Sequence, residues 1–279
     1  MTLAQFFGKE AIGSITKHGE LTFHIVGDTG VGTTAQESVA RAMARDIDAD
    51  HHELGASFMV NVGDVLYGDN KKAKYADRFY RIYDEYDRLI FAIPGNHDGE
   101  TNAATDPVTL EAFLENFCQP AGQQPPLGQE FGVLMPNQPG PYWHLEAPFV
   151  DIVGLYSNKA EDMGVLRHPA LATDQIDWLG ARLKAIAAAR KKKTRQAALL
   201  IVVHHPPYAR GLQESAFGHP GSPEMLVDID AACAAAKILP DAVIAGHTHS
   251  YQRYMRTQRL AGKDWTIPYL IVGTGGIGL

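Results

Sequence analysis

The sequence predicts an α/β sheet protein, and three observations carry that expectation: short apolar runs bounded by turn residues, stretches of helical length between them, and the regular alternation of the two. The runs fall at 21–26, 58–62, 89–93, 150–155, 199–203, 242–245 and 269–272, and each reads as a buried strand. Helices are expected at 34–47, 71–86, 173–190 and 223–237. In the third of these, Ile176, Leu179, Leu183 and Ile186 keep one apolar face. The stretch 119–141, heavy in Pro, Gly and Gln, reads as a long surface loop. No repeat and no linker rich in Gly, Pro or Ser divides the chain, so residues 1–279 are expected to form one domain.

With 279 residues, 45% of them hydrophobic, the chain can bury a sizeable core. No stretch approaches the roughly 18 consecutive apolar residues that a membrane helix needs. The first residues lack a basic start followed by an apolar core, so a cytoplasmic location is expected, or a periplasmic or secreted one if a leader has been removed. A formal net charge of −7 argues against general binding to nucleic acid or anionic membranes, both of which need a surplus of basic side chains. The basic group Arg190, Lys191, Lys192, Lys193 and Arg195 follows a helical pattern and reads as a solvated helix end. Cys118 and Cys233 stand far apart and read as buried small hydrophobes rather than a disulfide framework. Nothing in the sequence speaks to oligomeric state.

The chemistry lies just after the predicted strands. Asp28 follows the first, Asp64 the second, Asn96-His97-Asp98 the third, His204-His205 the fifth and His247-Thr248-His249 the sixth. Open α/β sheets place ligand sites at the carboxyl ends of their strands, where neighbouring loops converge. Carboxylates, an amide and imidazoles without thiolates suit Fe, Mn or Zn rather than a structural cysteine site. A lone Gly-Asp after a strand is commonly a turn. Gly95-Asn96-His97-Asp98 says more, because three ligand types share one strand end, and His247 with His249 can diverge toward two metals. His18, His24, His51, His52, His144 and His168 read as surface or satisfied core residues.

Two other motifs fail on context. The Gly273 to Gly278 series matches GxGxxG but is not expected to open the helix that a dinucleotide fold places there, and Gly27 to Gly32 is not continued by the Gly-Lys-Ser/Thr of a P-loop.

The series Gly27-Asp28-Thr29-Gly30, Gly63-Asp64-Val65-Leu66-Tyr67, Gly95-Asn96-His97-Asp98, Ile201-Val202-Val203-His204 and Gly246-His247-Thr248-His249 resembles the five signature blocks of calcineurin-like metallophosphoesterases. More narrowly, it resembles the purple acid phosphatase branch. The resemblance runs from 21 to 276 and implies a four-layer αββα sandwich of two mixed sheets flanked by helices. Most of that superfamily carries Asp-x-His in the first block, whereas Asp28-Thr29-Gly30 lacks the histidine. Purple acid phosphatases lack it too and place a tyrosine three residues after the second aspartate, where Tyr67 stands.

The resemblance implies two metal ions. Asp28, Tyr67 and His249 would bind the first, Asn96, His204 and His247 the second, and Asp64 would bridge them. A hard phenolate ligand implies Fe(III) at the Tyr67 site, with a violet colour, and Fe(II), Zn(II) or Mn(II) at the other. The implied reaction is hydrolysis of a small phosphate monoester by metal-held hydroxide, as in an acid phosphatase. His97 would face the substrate and assist the leaving alcohol, and His219 resembles a second active-site histidine. Asn96 would also touch the substrate, while His205 either contacts it or packs beside His204. A phosphodiesterase or nucleotidase is the rival within the family. A scaffold without catalysis would show lost ligands, and all seven are present. Relatives continue past the glycine-rich turn into further strands, so the resemblance implies a chain cut short at its carboxyl end.

Overall fold

The apolar runs pair into two separate sheets. In the computed structural model, which describes residues 1–49, 55–157, 164–167, 173–192, 194–210 and 219–277, β1 (His24–Val26), β2 (Phe58–Asn61) and β3 (Leu89–Ala92) form a parallel sheet in the order β1-β2-β3. A second sheet takes β4 (Trp143–Ala147), β5 (Val150–Leu155), β6 (Ala198–Val203), β7 (Ala242–Ala245), β8 (Tyr251–Leu260) and β9 (Lys263–Val272) in the order β4-β5-β6-β7-β9-β8. Its four inner strands run parallel, and the edge strands β4 and β8 pair antiparallel to their neighbours. Strands β2, β5 and β7 are buried along their whole length, which is why they read as unbroken apolar runs.

The sheets pack face to face. Phe58, Val60, Val62, Phe91 and Ile93 of the smaller sheet meet Trp143, Leu145, Ile152, Val202 and Ile244 of the larger one. On the outer side of the smaller sheet, Met59 and Ile90 pack with Met43 of α2 (Thr34–Ala49), with Tyr75 of α3 (Lys71–Tyr75) and with Phe113 of α5 (Glu111–Phe117). On the outer side of the larger sheet, Val153, Ile201 and Val203 pack with Leu179 and Leu183 of α7 (Asp174–Lys191) and with Met225 and Ile229 of α8 (Pro223–Ala236). The layering is helices, sheet, sheet, helices, in accord with the expected sandwich.

Several elements differ from their sequence expectation. The first run shortens to the three residues of β1. The helix expected over 71–86 divides into α3 and a π-helical turn, Ala76–Tyr80, because Tyr75, Phe79, Tyr80, Tyr83 and Tyr86 must all fit under the sheet. The stretch 119–141 is not a bare surface loop. It holds α6 (Pro126–Phe131) and sends the buried Gln138 side chain to both backbone groups of Ala92, closing the free edge of β3. α1 (Ala4–His18), the one-turn α4 (Asn96–Gly99), α5, β4 and β8 were not expected. Cys233 is buried and Cys118 half-buried, and both are free. In the basic group, Arg190 pairs with Asp241 at 2.8 Å, and Lys193 lies outside the described residues. Among the described residues no helix is long and apolar enough to cross a membrane.

Candidate metal centre

The carboxyl ends of both sheets meet at one place. Asp28, Asp64 and Asn96 follow β1, β2 and β3, while His204 follows β6, and His247 and His249 follow β7. Asp28, Asp64 and His247 sit at φ of +62°, +53° and +66°, a left-handed conformation that side chains other than glycine rarely take. Strain of this kind persists only where surrounding structure holds it, and it collects at functional sites. Glycine is required at two adjoining positions. At Gly63, with φ +103°, a Cβ would lie 2.4 Å from His204 Nδ1, and at Gly95 it would lie 2.1 Å from an Asp64 carboxylate oxygen.

Two groups of donors form within this cluster. In one, the Tyr67 hydroxyl donates to Asp28 Oδ1 at 3.2 Å, and His249 Nε2 stands 3.4 Å from the hydroxyl and 3.6 Å from the same carboxylate oxygen. In the other, Asn96 Oδ1 lies 3.0 Å from His204 Nε2 and 3.1 Å from His247 Nδ1. Asp64 belongs to both: its Oδ2 is 3.3 Å from His204 Nε2, and its charge acts on the Tyr67 phenol. The backbone N–H of His247 donates to Asp28 at 2.9 and 3.1 Å, and that of His97 donates to Asp64 Oδ1 at 2.9 Å. His204 Nδ1 meets the Val62 carbonyl at 3.0 Å, which fixes the ring and leaves Nε2 facing the cluster.

The surrounding residues brace this arrangement. Asp98 accepts the backbone N–H groups of Gly95, Val65 and Leu66 at 2.8 to 3.0 Å, joining the loops after β2 and β3. The His97 ring lies 4.5 Å from that of Tyr67, and the His219 ring lies 4.3 Å from His247 and 5.4 Å from His249. His205 is buried beneath His247, its ring 4.3 Å away, with Nδ1 on the Ser157 hydroxyl at 2.9 Å. The loop just before His219, residues 211–218, lies outside the described residues, as do His51, His52 and His168. The glycine-rich turn at 273–277 folds back on the first block, with Gly275 N–H on the Gly27 carbonyl.

Electrostatics favour a cation here. Burial pushes the Asp28 carboxyl up to about 7, with the neighbouring Asp64 charge adding to the rise. Burial pushes Asp64 the same way, but the charge of His204 outweighs it and leaves Asp64 well below the ordinary carboxylate range. His204, which burial alone would depress, is held at about 9 by Asp64. Burial takes His249 down to about 4 and pushes His247 well below its ordinary value, so both rings keep a lone pair. Tyr67 is held firmly protonated by burial and by the two carboxylates. For His97, burial pushes down, and Glu100 and Asp64 outweigh it to give a net rise.

Three tests of fit agree. Asp64, His204 and His247 each offer a ligand atom, and the three atoms lie within 4.8 Å of one another. His247 presents its Nδ1 to the same donor group, 3.1 Å from Asn96 Oδ1. Two buried carboxylates beside the neutral imidazoles of His247 and His249 are a donor set that a divalent or trivalent cation satisfies.

Two residues escaped the sequence reading. Glu100 places Oε1 3.0 Å from His97 Nδ1, and Ser157 holds His205. Only the spacing of Glu100, three residues after His97 in a short helical turn, offered a signal.

The αββα sandwich thus gathers carboxylates, an amide and imidazoles at the carboxyl ends of both sheets. Residues 21–251 match the family of calcineurin-like phosphoesterases, and the chain belongs to that family. The family implies a phosphoric ester hydrolase and typically binds two metal ions. No curated protein matches the sequence.

Proposed function

We propose that the protein is a binuclear metal-dependent phosphatase of the purple acid phosphatase type, acting on small phosphate monoesters. The observation that carries this reading is Tyr67, whose hydroxyl lies within 3.4 Å of both Asp28 and His249. No histidine occupies the first block, and a phenol stands in that corner of the cluster instead.

Asp28, Tyr67 and His249 would hold one ion, Asn96, His204 and His247 the other, and Asp64 both. A phenolate favours Fe(III) in the first position, and the second suits Fe(II), Zn(II) or Mn(II). Two bound ions supply the positive charge that neutralises the phosphoryl oxygens and makes a water acidic enough to act near neutral pH. The chain's own groups do the rest. His97, anchored through its backbone to Asp64 and a third exposed at the mouth, gives a proton to the departing alcohol. His219 faces the same opening beside His247 and His249, where it can donate to a phosphoryl oxygen. His205, buried under His247, supports that ring rather than touching the ester. The chain acts as one catalytic domain, and its net charge of −7 matches a small ester better than nucleic acid as substrate.

The test is a visible spectrum of the purified protein, with metal analysis and p-nitrophenyl phosphate hydrolysis at acidic pH on the same sample. A violet band with iron and monoesterase activity supports the proposal. A colourless, active protein holding zinc or manganese keeps the phosphoesterase and turns the search to diesters and nucleotides. A protein that retains no metal overturns the reading.

A further inference from the structure

The loop after β3 carries a second acidic residue that the ligand set does not use. Glu100 Oε1 lies 3.0 Å from His97 Nδ1, with the two side chains 33% and 39% exposed. A pair that open to water contributes little to stability. Its backbone is nonetheless fixed from several sides. The Glu100 N–H donates to the Asn96 carbonyl at 3.0 Å, and its carbonyl accepts from Nζ of the buried Lys71 at 2.9 Å. The Gly99 carbonyl accepts from Thr109 Oγ1 at 2.7 Å, and the His97 N–H is tied to Asp64 at 2.9 Å. The backbone that carries both the histidine and the glutamate is therefore held in place.

We infer that Glu100 is a positioning residue for His97: its carboxylate accepts a hydrogen bond from Nδ1–H, so that Nε2 is the nitrogen presented to the substrate's leaving oxygen. An imidazole has two nitrogens, and the partner of one decides the role of the other. The inference rests on the phosphatase reading above. In the step it serves, the phosphorus–oxygen bond to the alcohol breaks and a water oxygen forms the new bond to phosphorus. The departing oxygen takes the proton from His97 Nε2, and the ring remains as the Nδ1–H form on Glu100. The proton shed by the water passes to solvent, from which His97 is recharged. Lacking Glu100, the neutral ring reverts to the Nε2–H form, and its face toward the ester is no longer fixed.

Two measurements on Glu100→Ala and Glu100→Gln decide the matter. The first is the tautomer of His97 by long-range proton–nitrogen NMR on zinc-loaded, 15N-histidine protein. Nδ1–H is expected in the wild type and Nε2–H in Glu100→Ala. The second compares an alkyl ester, glycerol 2-phosphate, with p-nitrophenyl phosphate, whose leaving group needs no proton. Because a positioned acid contributes about 10²-fold or more to a poor leaving group, Glu100→Ala should lower kcat for the alkyl ester by roughly 30-fold and for the aryl ester by less than about 3-fold. Glu100→Gln, whose amide oxygen can still accept from Nδ1, should retain most of the alkyl esterase activity. Equal losses on both esters, or an Nε2–H ring in both proteins, would overturn the inference. A wild type that hydrolyses neither ester while keeping the Nδ1–H ring supports the pairing and sinks the phosphatase reading instead.

Discussion

The phenol of Tyr67 donates to the carboxylate of Asp28 at 3.2 Å, linking the loop after β2 to the loop after β1 across the candidate metal centre. Burial and the two nearby carboxylates hold that phenol protonated, so on the proposed reading it would become a ligand only if a strongly acidic cation displaced the proton. Tyr67→Phe removes the oxygen and leaves the ring packed against His97. A loss of about 1 kcal/mol in the metal-free protein is expected for one hydrogen bond, together with bleaching of any violet band. Spectra and thermal melts of the variant measure both, and a band that survives would rule out the phenolate.

Asp64 and His97 are joined by one hydrogen bond, yet they should respond differently to removal. Asp64→Ala takes away the group that faces both donor sets and leaves His204 without its ionic partner. Metal content should fall to near zero. His97→Ala should keep its metal and lose roughly 10²-fold in kcat toward an alkyl ester. Metal analysis beside kinetics separates the two, and equal metal loss would refute the division of roles.

Gly95→Ala probes the close approach of two loops. Its Cβ would lie 2.1 Å from an Asp64 oxygen, so Asp64 or the backbone of the β3 loop must shift. The fold has its core elsewhere, so the far-ultraviolet dichroism should stay unchanged while metal affinity drops. A variant that binds metal as tightly as the wild type would show that the loops can part without cost.

Asp151 gives a pH dependence away from the site. Burial pushes its carboxyl up, but hydrogen bonds from His144 at 2.9 Å and Arg195 at 3.1 Å outweigh burial and hold it below the ordinary range. A folded pKa below the unfolded one adds stability that is complete above roughly pH 4 and is lost as pH falls through the folded value. Asp151→Asn should therefore weaken the protein at neutral pH and flatten its loss of stability in acid. Chemical denaturation at a series of pH values checks this, and parallel curves for the two proteins would refute it.

Much of the framework was legible because fully buried parallel strands have one signature. Phe58–Asn61, Leu89–Ala92, Val150–Leu155 and Ala242–Ala245 are apolar on both faces, and each lies within a residue or two of its expected run. β8 was illegible for the opposite reason. It is an edge strand with exposed and half-exposed residues in alternation, so Arg253, Gln258 and Arg259 mask it as loop. The aromatics from Tyr75 to Tyr86 carry helical spacing, but packing five large rings under the sheet widens the turn into a π-helix. At the centre, the polar residues after the strands stood out because apolar runs preceded them. Glu100 did not, since an acidic residue in a loop is ordinary until its partner is known.

The candidate ligands come from both sheets, Asp64 from the smaller and His204 and His247 from the larger. A cation gripped by all three acts as a rivet through the interface between layers. Loading should therefore raise the melting temperature with metal concentration, as expected of any ligand that binds only the folded form. Sliding one sheet past the other would scatter the grip before either sheet lost its strands. Inactivation on heating would then mark the loss of alignment between two intact halves, ahead of their melting.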